Sequence, residues 1–397
     1  MKDIAIYTLT SELHDERAVN SGTEEFLGSL NISYLFRGSD YADYGSHVLD
    51  LIFVRTGGTE GLFRHLLPDL QLKSGRPFYL LTSGKNNSLA ASMEILSFLR
   101  QQGLTGEIIH GNSDYISRRI NLLAKVGEAK KQLNGCRLGI IGEPSDWLIA
   151  SYAEKDVVKR RLGIELMDVP MRELLDVIAA TPMRPCDVEV PSETIKNALP
   201  GANQIYDALK HVVARHKLQG FTLRCFDLLT AVHNTGCLAL ARLNAEGCVA
   251  GCEGDVPTML SMKIAQSLFD VIGFQSNPSR INPETGELLF AHCTIPLNLV
   301  ERYELDTHFE SGIGVGIRGY MTKGPVTIFK VAGDLSRYYI AEGELLRSQA
   351  EPDLCRTQLV IRLSDVRQAS YFLTNPIGNH HIVIPGHHRE LLEEFFV

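Results

Sequence analysis

Four of the chain's 13 histidines fall in one short stretch, NPIGNHHIVIPGHH, from Asn375 to His388. Imidazole is a common metal ligand and titrates near neutral pH. Pairs of histidines split by an apolar IVIP also describe a strand with polar ends. The metal reading needs carboxylates to meet them. In CEGD, Glu253 and Asp255 follow an apolar run directly, and two acids at a strand end suit a hard cation. They equally suit the cap of a following helix, for which DVPTMLSMKIAQSLFDVI is the natural start. His292, in LLFAHC, offers an imidazole at another strand end, where a structural histidine is the alternative. Taken together, Glu253, His292 and the tail histidines form the mixed oxygen and nitrogen set that suits Mn2+ or a similar divalent ion.

A second cluster is GEPSDW, which sets Glu143 and Asp146 beside Trp147, the single tryptophan of the chain. Polar groups next to an exposed indole suit the face of a sugar, whose C–H groups stack on aromatic rings. The alternative is a helix cap at Ser145 or Asp146 with Trp147 packed inside. RTGGTE, from Arg55, lacks the lysine of a P-loop and the third glycine of a dinucleotide fingerprint, so it reads as a turn.

These clusters need strands that end where they begin. DIAIYTL, LDLIFV, PFYLLTS and GEIIHG are short β-branched or aromatic runs separated by helix-length stretches such as SLAASMEILSFLRQQG, which opens beside Asn87 and closes on Gly103. Strands alternating with helices imply βαβ units and a parallel sheet. The pattern restarts at CRLGIIGEPSDW and continues through GIELMDVP, FTLRCFDLL, CVAGCEGD, LFDVIGFQ and LLFAHCTIP. Beyond Pro296 the helical period fades, and GPVTIFKVAG, RYYIAEGELL and TQLVIRLS read as strands before a final helix, HRELLEEFFV. The expected fold is α/β, with two doubly wound parallel-sheet domains, 1–135 and 136–295, followed by a β-rich, barrel-like domain, 296–397. In open parallel sheets ligands bind at the carboxyl ends of strands, where the polar clusters fall.

Composition narrows the function classes. At 397 residues, 44% hydrophobic and 22% charged, the chain can bury large cores. A net charge of −8 without a basic run argues against nucleic acid, and no apolar run is long enough to span a bilayer. Eight cysteines make a poor disulfide framework, and Cys248 and Cys252 have no partners for a zinc ribbon. The start, MKDIAIYTL, enters a strand pattern without an apolar leader, so a cytoplasmic location is expected.

Several collinear segments resemble the L-fucose isomerase and L-arabinose isomerase superfamily, in particular short fucose isomerase-like proteins. They are RCFDLLTAVHNTGCLALARLNAEGCVAGCEGD, FQSNPSRINPETGELLFAHCTIP and GNHHIVIPGHH, with IGEPSDWLIAS and NNSLAASMEI in support. The resemblance implies an aldose–ketose isomerase working through an enediol on a small-molecule sugar. It also implies Mn2+ held by acids and histidine, and a homotrimeric or homohexameric assembly. By position it makes Glu253 the first ligand and proton-transferring acid, His380 the histidine ligand and His292 a further metal-binding histidine. The second acid is expected in FQSN, where this chain has Asn277. An amide oxygen can ligate weakly but cannot act as a base. Asp255 or Glu143 could substitute; otherwise the protein is a sugar-binding relative without turnover, or a metal-dependent sugar aldolase or lyase. Glu143, Asp146, Trp147, Arg55, Asn87 and His387 are the expected sugar contacts, with His381 turned away and His388 facing solvent.

Overall fold

The computed structural model describes residues 3–185, 190 and 192–397. The chain divides into two compact units, Met1–Lys131 and Gln132–Val397. The first contains β1 (Ile4–Leu9), α1 (Glu16–Gly28), β2 (Leu35–Gly38), β3 (Leu49–Val54), α2 (Glu60–Lys73), β4 (Phe78–Leu81), α3 (Ser88–Gln101), β5 (Gly106–Ile109) and α4 (Ser113–Leu133). Its strands form one parallel sheet in the order β2-β1-β3-β4-β5.

β1 and β3 are buried along their whole length because helices cover both faces. Ile4, Ile6, Leu51 and Phe53 pack with Leu27 of α1 and with Ile116 and Ile120 of α4. The alternate residues Ala5, Tyr7, Leu9 and Ile52 pack with Phe63 and Leu67 of α2 and with Ile95 and Leu99 of α3. Burial on two faces is why these strands read as continuous apolar runs rather than alternating ones. β2, an exposed edge strand of four residues, carries no such run, and the sequence pattern does not reveal it.

The second unit opens with β6 (Arg137–Ile141), α5 (Lys155–Leu162), β7 (Glu165–Val169), α6 (Met171–Ala180), α7 (Glu193–His216), β8 (Gly220–Leu223), α8 (Asp227–Val232), α9 (Cys237–Ala245), β9 (Val249–Cys252) and α10 (Val256–Phe269). Its four strands make a parallel sheet in the order β7-β6-β8-β9. Then come β10 (Phe274–Asn282), β11 (Glu287–His292), β12 (Arg302–Asp306), β13 (Gly316–Tyr320), β14 (Gly324–Val331), β15 (Tyr338–Gln349), β16 (Thr357–Leu363), α11 (Tyr371–Thr374), β17 (His381–Pro385) and α12 (Arg389–Phe395).

Six of these strands close an antiparallel barrel, β10-β11-β16-β15-β14-β17, while β12 and β13 pair separately. Alternate residues such as Leu288 and Phe290, Val326 and Ile328, or Leu359, Ile361 and Leu363 fill its core, the period-2 pattern of a small barrel. The architecture is therefore α/β with parallel sheets and a β-barrel at the C-terminal end. Two barrel strands, β10 and β11, precede Pro296.

LFDVIGFQ does not form a strand as a whole. Leu268 and Phe269 complete α10, and Asp270 ends it in the left-handed conformation (φ 57°); the strand starts at Phe274. Helix α10 itself is buried around most of its circumference, with Met259, Leu260, Met262, Ile264, Ala265 and Leu268 all buried and Lys263, Gln266 and Ser267 on its partly exposed side. A helix with so wide an apolar face needs cover from more than one layer. It packs against β8 and β9 of the sheet and against β14 and β17 of the barrel, so its first turn lies where sheet and barrel meet.

The seven cysteines among the described residues are free thiols. Among the described residues no helix is long and apolar enough to cross a membrane.

Candidate metal centre

The turn between β9 and α10 is built to present Glu253. Its backbone is left-handed (φ 63°), as is that of Gly254 (φ 71°). Glutamate adopts this region rarely, and such strain persists where the surroundings enforce it. A Cβ on Gly254 would come within 2.6 Å of the Glu143 carbonyl oxygen and 2.7 Å of Pro144 Cα, so glycine is what lets the Glu143–Trp147 loop approach. Ser145 N donates to the Glu253 carbonyl at 3.0 Å. β9 is the edge of its sheet, yet its last residue is paired: Cys252 N donates to Gln275 Oε1 at 2.8 Å, and Gln275 Nε2 donates to Cys252 O at 3.2 Å. A barrel side chain thus takes the place of a missing strand and fixes the turn.

The barrel supplies the imidazoles. β10 is flanked by β11, which ends at His292, and by β17, which begins just after His380. Both strands reach β10 at Ser276–Asn277, with Asn277 opposite Ala291 and Ser276 opposite His381. The His292 and His380 rings cross at 5.4 Å and 72°. Their Nε2 atoms lie 3.6 Å and 3.5 Å from Glu253 Oε1. One donor atom from each of Glu253, His292 and His380 falls within 4.8 Å of the others, and all three residues are substantially buried.

The far side of each ring is tied down. His292 Nδ1 bonds Thr294 Oγ1 at 2.9 Å, and His380 Nδ1 bonds Asp255 Oδ2 at 2.9 Å. A carboxylate can only accept, so the His380 Nδ1 carries a hydrogen and Nε2 is the atom turned toward the cluster. That Nε2 is fully buried and has no hydrogen-bond partner. A buried polar atom left unpaired is costly, and a divalent ion among these donors would satisfy it. A ring oriented by a carboxylate on its outer nitrogen is the common arrangement of metal-binding histidine. The donor set fits such an ion.

Charge reinforces the arrangement. Burial would raise the Glu253 carboxyl, but the close imidazoles of His292 and His380 outweigh it and hold it well below the usual carboxylate range. Burial would likewise raise Asp255, but the Lys330 ammonium and the His380 hydrogen bond hold it low. Burial would lower His380, yet the Asp255 hydrogen bond and the nearby Glu253 carboxylate lift it to about 9. His292, with burial dominant, is pushed down. Burial pushes the Lys330 ammonium down, against the raising pull of Asp255.

The other expected site residues divide by place. Trp147 is half exposed rather than packed inside, and its indole Nε1 donates to Glu253 Oε2 at 2.7 Å. Asp146 pairs with Arg224 at 2.9 Å, and Glu143 is exposed; together they line a cavity of about 660 Å³ at the carboxyl edge of the second sheet. Asp255 is fully buried and committed to Thr258 N, Lys330 and His380, so it orients rather than faces a substrate. Asn277 is half-buried on β10, and among the described residues its side chain makes no hydrogen bond to Glu253, His292 or His380. The FQSN residue that reaches the site is Gln275.

Arg55 and Asn87 belong to the first unit. Arg55 donates to Thr10 Oγ1 at 2.6 Å and to Asn20 Oδ1 at 2.7 Å, and Asn87 is the left-handed residue before α3. His387 is exposed past the far end of β17, five residues or roughly 17 Å of strand from His380. His381 turns into an aromatic nest of Tyr339, Tyr371 and Phe372 and bonds Tyr371 Oη at 2.9 Å. His388, expected at the surface, instead stacks on Phe269 at 4.0 Å.

The turn between β12 and β13 adds residues that no sequence pattern marks. His308 packs edge-on to Phe226 at 5.5 Å, and Phe226 packs edge-on to Trp147 at 4.8 Å. Two residues on, Glu310 senses Glu253: burial first and then the Glu253 charge push its carboxyl up. Lys330 is the third such residue, contributed by β14 from 75 positions beyond Asp255.

No family model matches the chain. Two curated proteins are similar to it, the sulfoquinovose isomerases of Priestia aryabhattai and Priestia megaterium. Each is 23% identical over 264 residues, a region covering 62% of this chain and 59% of the relative. The chain thus spans less than two thirds of the length of the curated relatives it matches.

Proposed function

We propose that the protein is a divalent-metal sugar isomerase that interconverts an aldose and a ketose through an enediol, with Mn2+ as the expected ion. The observation that carries this reading is the convergence of Glu253, His292 and the unpartnered His380 Nε2 beside a half-exposed indole. The distant likeness to two sulfoquinovose isomerases supports it. A divalent ion held by Glu253, His292 and His380 would polarise two adjacent sugar oxygens and acidify the C–H beside the carbonyl.

The protein's own groups have distinct parts. Trp147 Nε1 fixes the second oxygen of Glu253 and offers its exposed ring face to the sugar. Glu253, ionised in the resting site, would serve as ligand and as the base that takes the proton from one carbon and returns it to the next. The amide of Asn277 cannot move a proton. Glu310, two residues from His308 and with a carboxyl that burial and then the Glu253 charge push up, is the candidate second acid in this reading. A general acid or base of this kind contributes about 10²–10⁴ in rate.

The test is a screen of Mn2+-loaded protein against free aldoses, with sulfoquinovose, a sulfonated aldohexose, tried first. Ketose formation with solvent deuterium entering at C1 or C2 is the expected result. Saturable sugar binding with no exchange at either carbon would instead favour a sugar-binding relative without turnover, the reading that Asn277 suggests.

A further inference from the structure

Lys330 is the only lysine or arginine among the described residues that is buried in the core, at 1% exposure. Burying an ammonium costs several kcal/mol unless it is well paired, and a buried ion pair is weak grounds for stability. Its placement calls for another reason. Nζ lies 3.3 Å from both oxygens of Asp255 and donates to Thr258 Oγ1 at 2.5 Å. The next residue, Val331, donates its N–H to Ser261 Oγ at 3.0 Å, fixing the end of β14 to α10.

Asp255 is the hub of this contact. Its Oδ1 accepts from Thr258 N at 2.7 Å, capping α10, and its Oδ2 bonds His380 Nδ1 at 2.9 Å. β14 and β17 are paired neighbours in the barrel. One brings Lys330 and the other His380 to the same first turn of α10. The ammonium counters the Asp255 charge in a place with no access to water, so the carboxylate can remain a pure acceptor for the Nδ1 hydrogen.

We infer that Lys330 is a positioning residue of the metal centre, acting through Asp255 to hold the His380 ring with Nε2 aimed at the ligand set. The inference rests on the reading that Glu253, His292 and His380 hold a divalent ion. Outer partners of metal-binding histidines typically change metal affinity by about 10- to 100-fold. Lys330 sits one step further out, and its effect should disappear when Asp255 is no longer charged.

The experiment is a thermodynamic cycle on the whole chain: wild type, Lys330→Met, Asp255→Asn and the double variant. Each is titrated with Mn2+ alone, and the Co2+ absorption spectrum serves as a second readout. Lys330→Met is expected to weaken Mn2+ by about tenfold or more and to shift the Co2+ bands, while the double variant binds no more weakly than Asp255→Asn. A folded Lys330→Met with wild-type affinity and spectrum overturns the inference. So does a double variant whose losses simply add. Should Lys330→Met fail to fold, the double variant, which buries no lone charge, decides: wild-type affinity there also overturns it. A wild-type chain that takes up neither ion fails earlier and removes the metal reading itself.

Discussion

The two parallel sheets share a strand order but not a chemistry. In the first, the order β2-β1-β3-β4 opens a crevice where the connections diverge between β1 and β3. A cavity of about 770 Å³ lies there, lined by Thr10, Ser11, His14, Tyr41 and Arg55 among others. In the second, β7-β6-β8-β9 repeats the order. Both crevices fall where open α/β sheets bind ligands. Among the described residues only the second has a metal-competent cluster. The difference is the barrel. Gln275, His292, Lys330 and His380 all come from barrel strands or their ends, and they converge on a turn whose own sheet contributes just Glu253 and Asp255. Topology opens a crevice; a ligand set requires a second layer that reaches into it.

The comparison can be broken most severely at its centre. His380→Ala should weaken Mn2+ binding more than about a hundredfold, since it removes a ligand outright where loss of an outer partner already costs about 10- to 100-fold; calorimetry on the metal-stripped variant checks this. Gly254→Ala should destabilise the second unit by about 2–4 kcal/mol, combining left-handed strain with the clash at the Glu143 carbonyl. Chemical denaturation would measure it.

The pH dependence follows from His380. Its pKa is about 9 in the folded, metal-free chain against roughly 6.5 unfolded. The raised value means that protonation favours the fold. That contribution, on the order of 3 kcal/mol, is complete below about pH 6.5 and is lost as the pH rises through about 9. Thermal melts of metal-stripped protein should decline across this window. Mn2+ affinity should move the other way, rising about tenfold per pH unit as the ion displaces one proton.

Smaller effects sharpen the boundary between the two regions. Trp147→Phe removes the donor to Glu253 but keeps a ring against Phe226, so turnover should fall about tenfold with metal affinity nearly unchanged, as expected for a partly exposed bond to a charged group. Arg55→Ala and Asn87→Ala in the first unit should leave Mn2+ affinity within about twofold of wild type, because neither residue belongs to the ligand cluster. A large loss in either would mean that the first unit helps to hold the ion.

The three residues of the cluster could be singled out because each lies at a strand end, with the resemblance picking His380 from the four tail histidines. Glu253 and His292 directly follow apolar strand runs, and His380 opens one, so strand ends could be found without knowing which strands meet. The supporting residues obey no local rule. Lys330 sits in GPVTIFKVAG as an ordinary polar residue of a strand, and only the register of β14 against β17 makes it a core ammonium. Gln275 and Asn277 lie two positions apart on one strand, and sequence position alone favours Asn277. The structure shows Gln275 bonding the backbone beside Glu253, because β9 is an edge strand that needs a partner at Cys252. His308 and Glu310 lie on a turn whose position depends on aromatic contacts from three segments. β2 escaped notice for the opposite reason: an exposed edge strand buries too little to leave a pattern.

The most direct test of the metal centre is a calorimetric titration of metal-stripped protein with Mn2+ in two buffers of different ionisation enthalpy, with Glu253→Gln alongside. One site per chain, release of close to one proton near pH 7.5, and loss of the site in Glu253→Gln are the expected results. No saturable site in the wild type, or uptake indifferent to Glu253, would contradict a metal centre built from Glu253, His292 and His380.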